Sequence, residues 1–374
     1  MTGKTSKPGK MRKSFFRRRA LFLSLTLTLP LWMFNNCSDV DFAASDSSSR
    51  VIIKDIDDER VKVSQGFQVA QKPLDILFVV DNSGSMTNYQ RNMSQRIEGF
   101  LRHIEGLDWQ IAVTSTDPLP MSQDANRQEV PWGDGQFRHF GDNPNRFILR
   151  PSEVSNLAEA ERLLGQAIEM GSNGDGDERG IRATYRAIER RASSPAHGAF
   201  FRETSALAVV LISDEDECSN GSCDSNHNPE KSRIENLLQL VEDTFGKDKL
   251  FVFNSLIHQD GRCSQPHRAA REGRTYRRLS EATNGLVGLV CATDYGQQLS
   301  ELGLIVKQMA SDIKLVCNPL DTSGNGRPNV DILAGSTPIS PRFEIRRDVL
   351  HFPDGLPEGQ YRLEYICRKE EAGS

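Results

Sequence analysis

Residues 74–86, which read LDILFVVDNSGSM, decide the fold. The continuous apolar run at 76–80 has the length of a buried strand and ends abruptly in polar residues. Asp81, Ser83 and Ser85 follow it two residues apart, which predicts one carboxylate and two hydroxyls at the carboxyl end of that strand. Ligands of open α/β sheets bind at this edge, and hard oxygen donors suit Mg²⁺. The alternative is an Asp/Asn/Ser turn that only caps the next helix.

Strands and amphipathic helices alternate over residues 72–315, which predicts an α/β fold with a doubly wound, mostly parallel sheet and helices on both faces. We expect strands at 75–80, 109–115, 207–213, 250–257 and 287–291. We expect helices at 87–105, 151–170, 178–191, 229–245, 275–283 and 295–313. We also expect a hairpin within 136–149. The short alternating segments of 316–374 indicate a small C-terminal β module.

The apolar run at 207–213 also ends in an acid, Asp214. If this run and the first one are neighbouring central strands, Asp81 and Asp214 lie close together. The Asp-x-Ser-x-Ser loop combined with Asp214 resembles the metal-ion-dependent adhesion site of von Willebrand factor type A (vWA) domains. The segment VVLISDEDECS is similar to exported bacterial members of that family.

The resemblance implies a bound Mg²⁺, or Mn²⁺ or Ca²⁺, contacted by the hydroxyls of Ser83 and Ser85 while Asp81 and Asp214 orient its waters. It implies a cell-envelope protein that binds a protein ligand through an Asp or Glu carboxylate of that partner. An alternative is a structural scaffold of an envelope assembly, in which the metal only stabilises the loops. A divergent hydrolase is a third alternative, but no nucleophile–base pair can be named, so we expect no enzyme.

The vWA family normally adds a threonine from the loop before the second long helix, but here residues 171–180 read GSNGDGDERG. Asp177 is the best substitute by position, Asp175 and Glu178 are next, and water in a flexible acidic turn is the alternative. A direct Asp177 ligand would weaken attraction for an external carboxylate, because close unit charges interact by about 4 kcal/mol at an effective dielectric near 20. The same loop begins like a calcium loop but lacks its later glycine and glutamate.

The charge distribution bears on partners and on the start of the chain. Formal net charge is −5, yet residues 1–36 carry eight Lys/Arg and no acid, which leaves −13 for the remainder. A protein with this much negative charge repels the phosphate backbone of nucleic acids. We therefore expect no nucleic-acid partner.

Residues 1–36 read as an export signal, because a basic start precedes a predominantly apolar stretch of fifteen residues at 20–34, too short to span a bilayer comfortably. Cys37 then stands where bacterial lipoproteins carry their acylated cysteine, which predicts a membrane-anchored protein of the cell envelope. An ordinary cleaved signal is the alternative. We expect residues 37–71 to be a tether and a charged, irregular extension, with an edge strand near 67–70.

Six cysteines remain after Cys37, and an even number in an exported chain favours disulfides. Fifteen pairings are possible, and we predict nearest-neighbour bonds. The predicted pairs are Cys218–Cys223, Cys263–Cys291 and Cys317–Cys367. His258 and His267 flank a polar loop, but no third ligand has regular zinc spacing, so surface histidines are the better interpretation.

Overall fold

The computed structural model describes residues 51–69, 71–118, 132–174, 176–218, 229–263, 270–357 and 359–372. Its strands are β1 (Val51–Asp55), β2 (Arg60–Val69), β3 (Leu74–Val80), β4 (Trp109–Ser115), β5 (Ala206–Ser213), β6 (Phe251–Ile257), β7 (Val287–Leu289), β8 (Ile313–Lys314), β9 (Val330–Ala334), β10 (Thr337–Ile339), β11 (Glu344–Arg346), β12 (Val349–His351) and β13 (Gly359–Arg368). Its α-helices are α1 (Thr87–Ser94), α2 (Glu98–Ile104), α3 (Leu157–Ile168), α4 (Gly180–Glu189), α5 (Pro195–Phe200), α6 (Ile234–Phe245), α7 (Arg274–Ala282), α8 (Tyr295–Met309) and α9 (Lys369–Ala372).

A five-stranded parallel sheet with the order β4-β3-β5-β6-β7 forms the centre of the α/β part, which confirms the predicted fold class. Every residue of β3 is buried because helices cover both faces of the sheet. Ile76, Phe78 and Val80 pack into an apolar cluster with α1, α2, α3 and α8. Leu77 and Val79 pack on the other face with α4, α5, α6 and α7.

The predicted helix over 87–105 is wrong as a single element, because the structure divides it into α1 and α2. The intervening turn is tightened, with the Arg96 N–H donating to the carbonyl of Met93 at 2.9 Å. The division lets α1 pack against α3 while α2 lies closely along α8. A Cβ at Gly303 of α8 would come within 2.6 Å of the Phe100 carbonyl, so this helix pair requires glycine at that position.

The predicted hairpin within 136–149 does not form a regular strand pair. An isolated antiparallel bridge joins Ile111 of β4 to Leu149, so the backbone pairs with this edge of the sheet at a single residue pair only. The backbone also departs from β geometry at Asp134 and Gly135, both of which have positive φ. A Cβ at Gly135 would lie 2.4 Å from the Ala187 nitrogen, so glycine lets this segment pack directly on α4.

The β module is built from both ends of the described chain, in two antiparallel sheets with the orders β1-β2-β13-β9-β10 and β11-β12-β8. The expectation of a charged, irregular extension is wrong for residues 51–69, because β2 is an interior strand that pairs with β13 along ten residues. Val61, Val63 and Phe67 alternate into a common core with Leu363 and Tyr365. The domain boundaries at 71/72 and 315/316 stay predictions.

Two predicted disulfides are confirmed, Cys263–Cys291 and Cys317–Cys367, with Cα–Cα distances of 5.6 and 6.1 Å. Cys218 is also disulfide-bonded, and its predicted partner Cys223 lies outside the described residues. The predicted signal and Cys37 lie outside them as well. None of the helices in the described ranges is long and apolar enough to cross a membrane.

His197 in α5 is a buried neutral histidine that should make stability depend on pH. Its ring stacks on Phe137 at 3.8 Å, its Nε2 lies 2.9 Å from the Gly135 carbonyl and its Nδ1 lies 2.8 Å from the Ser194 hydroxyl. Burial lowers the pKa of His197 to about 4, whereas an unfolded histidine titrates near pH 6.5. Stability contributed above pH 6.5 is therefore lost as the pH falls towards 4, because only the unfolded chain takes up the proton.

We expect the free energy of unfolding to fall by about 2 kcal/mol more for the wild type than for His197→Gln between pH 7 and pH 5. Urea unfolding at both pH values measures this difference directly. Equal losses in the two proteins would contradict the burial argument.

Candidate metal site

The two acids that follow the central strands come together because β3 and β5 are parallel neighbours, with Val80 opposite Ile212. The Asp81 N–H donates to the carbonyl of Ile212 at 2.9 Å. The Ser213 hydroxyl donates to Asp81 Oδ2 at 2.6 Å. Asp81 and Asp214 are both fully buried at the carboxyl edge of the sheet, as the two apolar runs predict.

The Asp-x-Ser-x-Ser loop joins these acids through its hydroxyls. The Ser83 N–H donates to Asp81 Oδ1 at 2.8 Å, which closes a tight turn and fixes the carboxylate. The hydroxyls of Ser83 and Ser85 lie 3.1 Å apart, and Ser85 Oγ donates to Asp214 Oδ1 at 2.9 Å. Four of the five predicted ligands therefore form one continuous polar chain.

Gln90 of α1 holds this loop in place, and the sequence interpretation missed it. Its Nε2 donates to the Asp81 carbonyl at 2.7 Å and to the Gly171 carbonyl at 2.9 Å. Its Oε1 accepts from the Gly171 N–H at 3.1 Å. Gln90 therefore ties the first loop to the loop before α4. The sequence did contain an indication that Gln90 is buried, because it lies at helical spacing within the apolar series Met86, Met93 and Ile97.

The loop before α4 places Glu178, not Asp177, next to Asp81. Asp177 forms an ion pair with Arg179, whose side chain is fully buried and whose Nε and Nη2 lie 3.0 and 2.5 Å from Asp177 Oδ2. Glu178 is 1% exposed, and a side-chain hydrogen bond joins it to Asp81. The Thr116 hydroxyl donates to Glu178. Asp175, the other candidate from this loop, lies outside the described residues.

Burial raises the pKa of all three carboxyl groups, and the charge of Asp81 raises the pKa of the other two further, because both causes penalise the charged form. Burial, and then the charge of Asp81, raise the pKa of Asp214 to about 7. The same two causes raise the pKa of Glu178 well above its usual range. Burial also raises the pKa of Asp81. A divalent cation would offset this repulsion.

The donor set fits a hard cation in chemistry and in burial. Asp214 Oδ2 is buried and has no hydrogen-bond partner among the described residues, so its acceptor capacity is unsatisfied there. All the donors are hydroxyl or carboxyl oxygens, which Mg²⁺ and Ca²⁺ prefer. In the described ranges no three His, Cys, Asp or Glu side chains converge closely enough to hold a metal ion by themselves. A cation here would therefore depend on Ser83, Ser85 and water as well.

The structure gives little support to the other two candidate metal sites, the calcium-like loop and the histidine pair. The Asp177 carboxylate of the calcium-like loop is occupied by Arg179. His258 is 4% exposed, so its interpretation as a surface histidine is wrong, and its Nε2 lies 3.2 Å from Asp260 Oδ1. His267 lies outside the described residues.

No protein family model matches the chain, and no curated protein matches it. Among solved structures, the chain is similar to a von Willebrand factor type A protein from Catenulispora acidiphila, with 13% identity and a TM-score of 0.37 over 88% of this chain and 67% of that one. It is also similar to the pilus adhesin SpaC from Lactobacillus rhamnosus GG, with 12% identity and a TM-score of 0.38 over 88% of this chain and 44% of that one. The strand order and the loops are those of a vWA-like α/β domain, in which the Asp-x-Ser-x-Ser loop meets a second acid at the sheet edge.

Proposed function

We propose that this protein binds a protein partner through a divalent cation, Mg²⁺ or alternatively Mn²⁺ or Ca²⁺, at the candidate metal site. The observation that carries the proposal is the connected chain from Asp81 through Ser83 and Ser85 to Asp214, drawn from two distant parts of the sequence. The Ser83 and Ser85 hydroxyls would hold the cation, with Asp81 and Asp214 orienting its waters. The bound cation would supply a Lewis-acidic contact for an Asp or Glu carboxylate of the partner.

Access to the site supports recognition from one side. Gly84 at the tip of the loop is exposed and Ser85 is half-buried, while Ser83 is 3% exposed beneath them. A partner side chain would therefore approach over Gly84. Because the body of the protein is strongly acidic, attraction for a partner carboxylate has to come from the cation and not from the general field of the surface.

We further infer a non-enzymatic protein of the bacterial cell envelope, exported by residues 1–36 and anchored through a lipid at Cys37. The bonds Cys263–Cys291 and Cys317–Cys367 support export, because disulfides persist in oxidising compartments.

The proposal is tested by capture of partners from envelope extracts in millimolar Mg²⁺ or in chelator, with the wild type and Ser85→Ala. We expect specific partners only with wild type and Mg²⁺, because Ser85 links the loop to Asp214. Ser323→Ala, at an exposed serine of the β module, is the matched control and should behave as wild type. Capture that survives both chelation and Ser85→Ala would refute a metal-dependent contact.

The buried Glu178 favours a second function, in which the cation only stabilises the loops of an envelope scaffold. An additional carboxylate beside Asp81 lowers the positive charge that the cation can present outward. A partner footprint mapped by hydrogen exchange away from residues 82–86, together with Mg²⁺-linked stability, would favour this scaffold over adhesion.

A further inference from the structure

Glu178 is held firmly in the wall of the candidate metal site. Its carbonyl accepts from the Cys218 N–H at 2.7 Å, and the following residue, Arg179, donates its N–H to the Thr116 carbonyl at 3.2 Å. The Thr116 hydroxyl donates to the Glu178 carboxyl group, which is also hydrogen-bonded to Asp81. With 1% of its surface exposed, Glu178 cannot swing into solvent without moving two neighbouring loops.

The adjacent acids Asp177 and Glu178 have different electrostatic roles. The charge of Asp177 is compensated by the fully buried guanidinium of Arg179, through two contacts to one carboxylate oxygen. Glu178 instead lies against Asp81, whose charge acts directly on it. Asp214 Oδ2 is a separate sign of an incomplete cluster, because it is buried with no hydrogen-bond partner among the described residues.

We propose that Glu178 is the third carboxylate of the cation site, in the role for which the sequence suggests Asp177. It would make the site hold its cation firmly without a partner and reduce the attraction of that cation for an external carboxylate. This inference rests on the proposed function, because it assumes a cation at Asp81, Ser83, Ser85 and Asp214. It makes Glu178 the residue that sets the balance between retention of the cation and affinity for the partner.

Calorimetric titration of the purified protein with Mg²⁺ tests the first half. We expect Glu178→Gln to lose about 10- to 100-fold in Mg²⁺ affinity, the range seen when a supporting carboxylate is removed from a metal site. Glu105→Gln, the same formal change at an exposed glutamate just before β4, should stay within about threefold of wild type because it lies at the opposite edge of the sheet. Near-ultraviolet circular dichroism without cation identifies any variant that fails to fold, and Glu178→Thr then serves as the second substitution.

A second readout separates the charge of Glu178 from a structural role. Without cation, the midpoint of thermal unfolding in Glu178→Gln should stay close to that of the wild type, because glutamine can keep the contacts with Thr116 and Asp81, while the rise produced by Mg²⁺ shrinks. A merely structural glutamate would lower the midpoint with and without Mg²⁺. That parallel loss, or unchanged Mg²⁺ affinity in Glu178→Gln, would overturn the inference.

Acetate serves as the probe for an external carboxylate. With Mn²⁺ bound, electron paramagnetic resonance should detect tighter acetate binding in Glu178→Thr than in wild type. Equal binding would overturn the inference that Glu178 reduces the attraction for an external carboxylate.

If the wild type binds no divalent cation, the proposed function itself fails. If the wild type binds Mg²⁺ and Glu178→Gln binds it equally well, only the inference about Glu178 fails.

Discussion

Asp81→Asn should abolish most of the stabilisation that Mg²⁺ gives this protein. Asparagine keeps the shape of the side chain, and its oxygen can still accept from the Ser83 N–H, so the turn should persist. The substitution removes the charge nearest to both Glu178 and Asp214. At a Mg²⁺ concentration 100 times the dissociation constant, the wild type gains about 2.7 kcal/mol, whereas a variant with 100-fold weaker binding gains only about 0.4 kcal/mol.

Thermal unfolding with and without Mg²⁺ measures both parts of this expectation. Without cation, Asp81→Asn should be about as stable as the wild type, because it loses the hydrogen bond from the Ser213 hydroxyl but also removes the cost of burying a charged carboxylate. Asp348→Asn is the control, since this acid lies in the β module beside Lys314 and is 41% exposed. An Asp81→Asn protein that gains as much from Mg²⁺ as wild type would mean that the cation binds elsewhere.

The central sheet and the four convergent residues of the site could be predicted from the sequence. Continuous apolar runs define β3 and β5, and polar residues end each run at the same edge of a parallel sheet. Two such strands that are neighbours must bring Asp81 and Asp214 together. The prediction therefore depended on strand length and direction, which are local properties, and on a single assumption about adjacency.

Which of Asp177 and Glu178 lies against Asp81 could not be predicted, because consecutive loop residues point in different directions. Arg179 forms an ion pair with one of the two acids, and the local sequence GDERG does not indicate which one. The division between α1 and α2 was hidden for a related reason. The apolar spacing continues through the turn at 95–97, and no proline or glycine lies there to mark it.

The interior position of β2 in its sheet could be predicted only in part from the sequence. Val61, Val63 and Phe67 fit the two-residue period of a strand, but the neighbouring Arg60 and Lys62 made the segment look like a charged linker. Those charged residues lie on its exposed face. Its partner β13 is about 300 residues away in sequence, so only the tertiary structure shows that both ends of the described chain build one module.

Asp75→Ala should give the largest loss of stability, from the edge of the sheet opposite to the metal site. Asp75 is fully buried in β3, where it accepts from the N–H and the Nε of Arg202, both at 2.8 Å, and from the Ser205 hydroxyl. Lys249 donates to the same serine at 3.1 Å. Removal of the carboxylate leaves these buried donors and cations uncompensated, which costs about 3–5 kcal/mol.

Asp108→Ala is the matched control, because Asp108 pairs with the same guanidinium at 2.8 Å but is 64% exposed. Exposed pairs contribute about 0–1 kcal/mol, so urea unfolding should separate the two variants by at least about 2 kcal/mol at equal slope. A loss in Asp75→Ala no larger than in Asp108→Ala would refute the argument from burial. Mg²⁺ affinity should be unchanged in folded Asp75→Ala, since Asp75 and Asp81 lie at opposite ends of β3, which would separate the stability of the scaffold from the chemistry of the site.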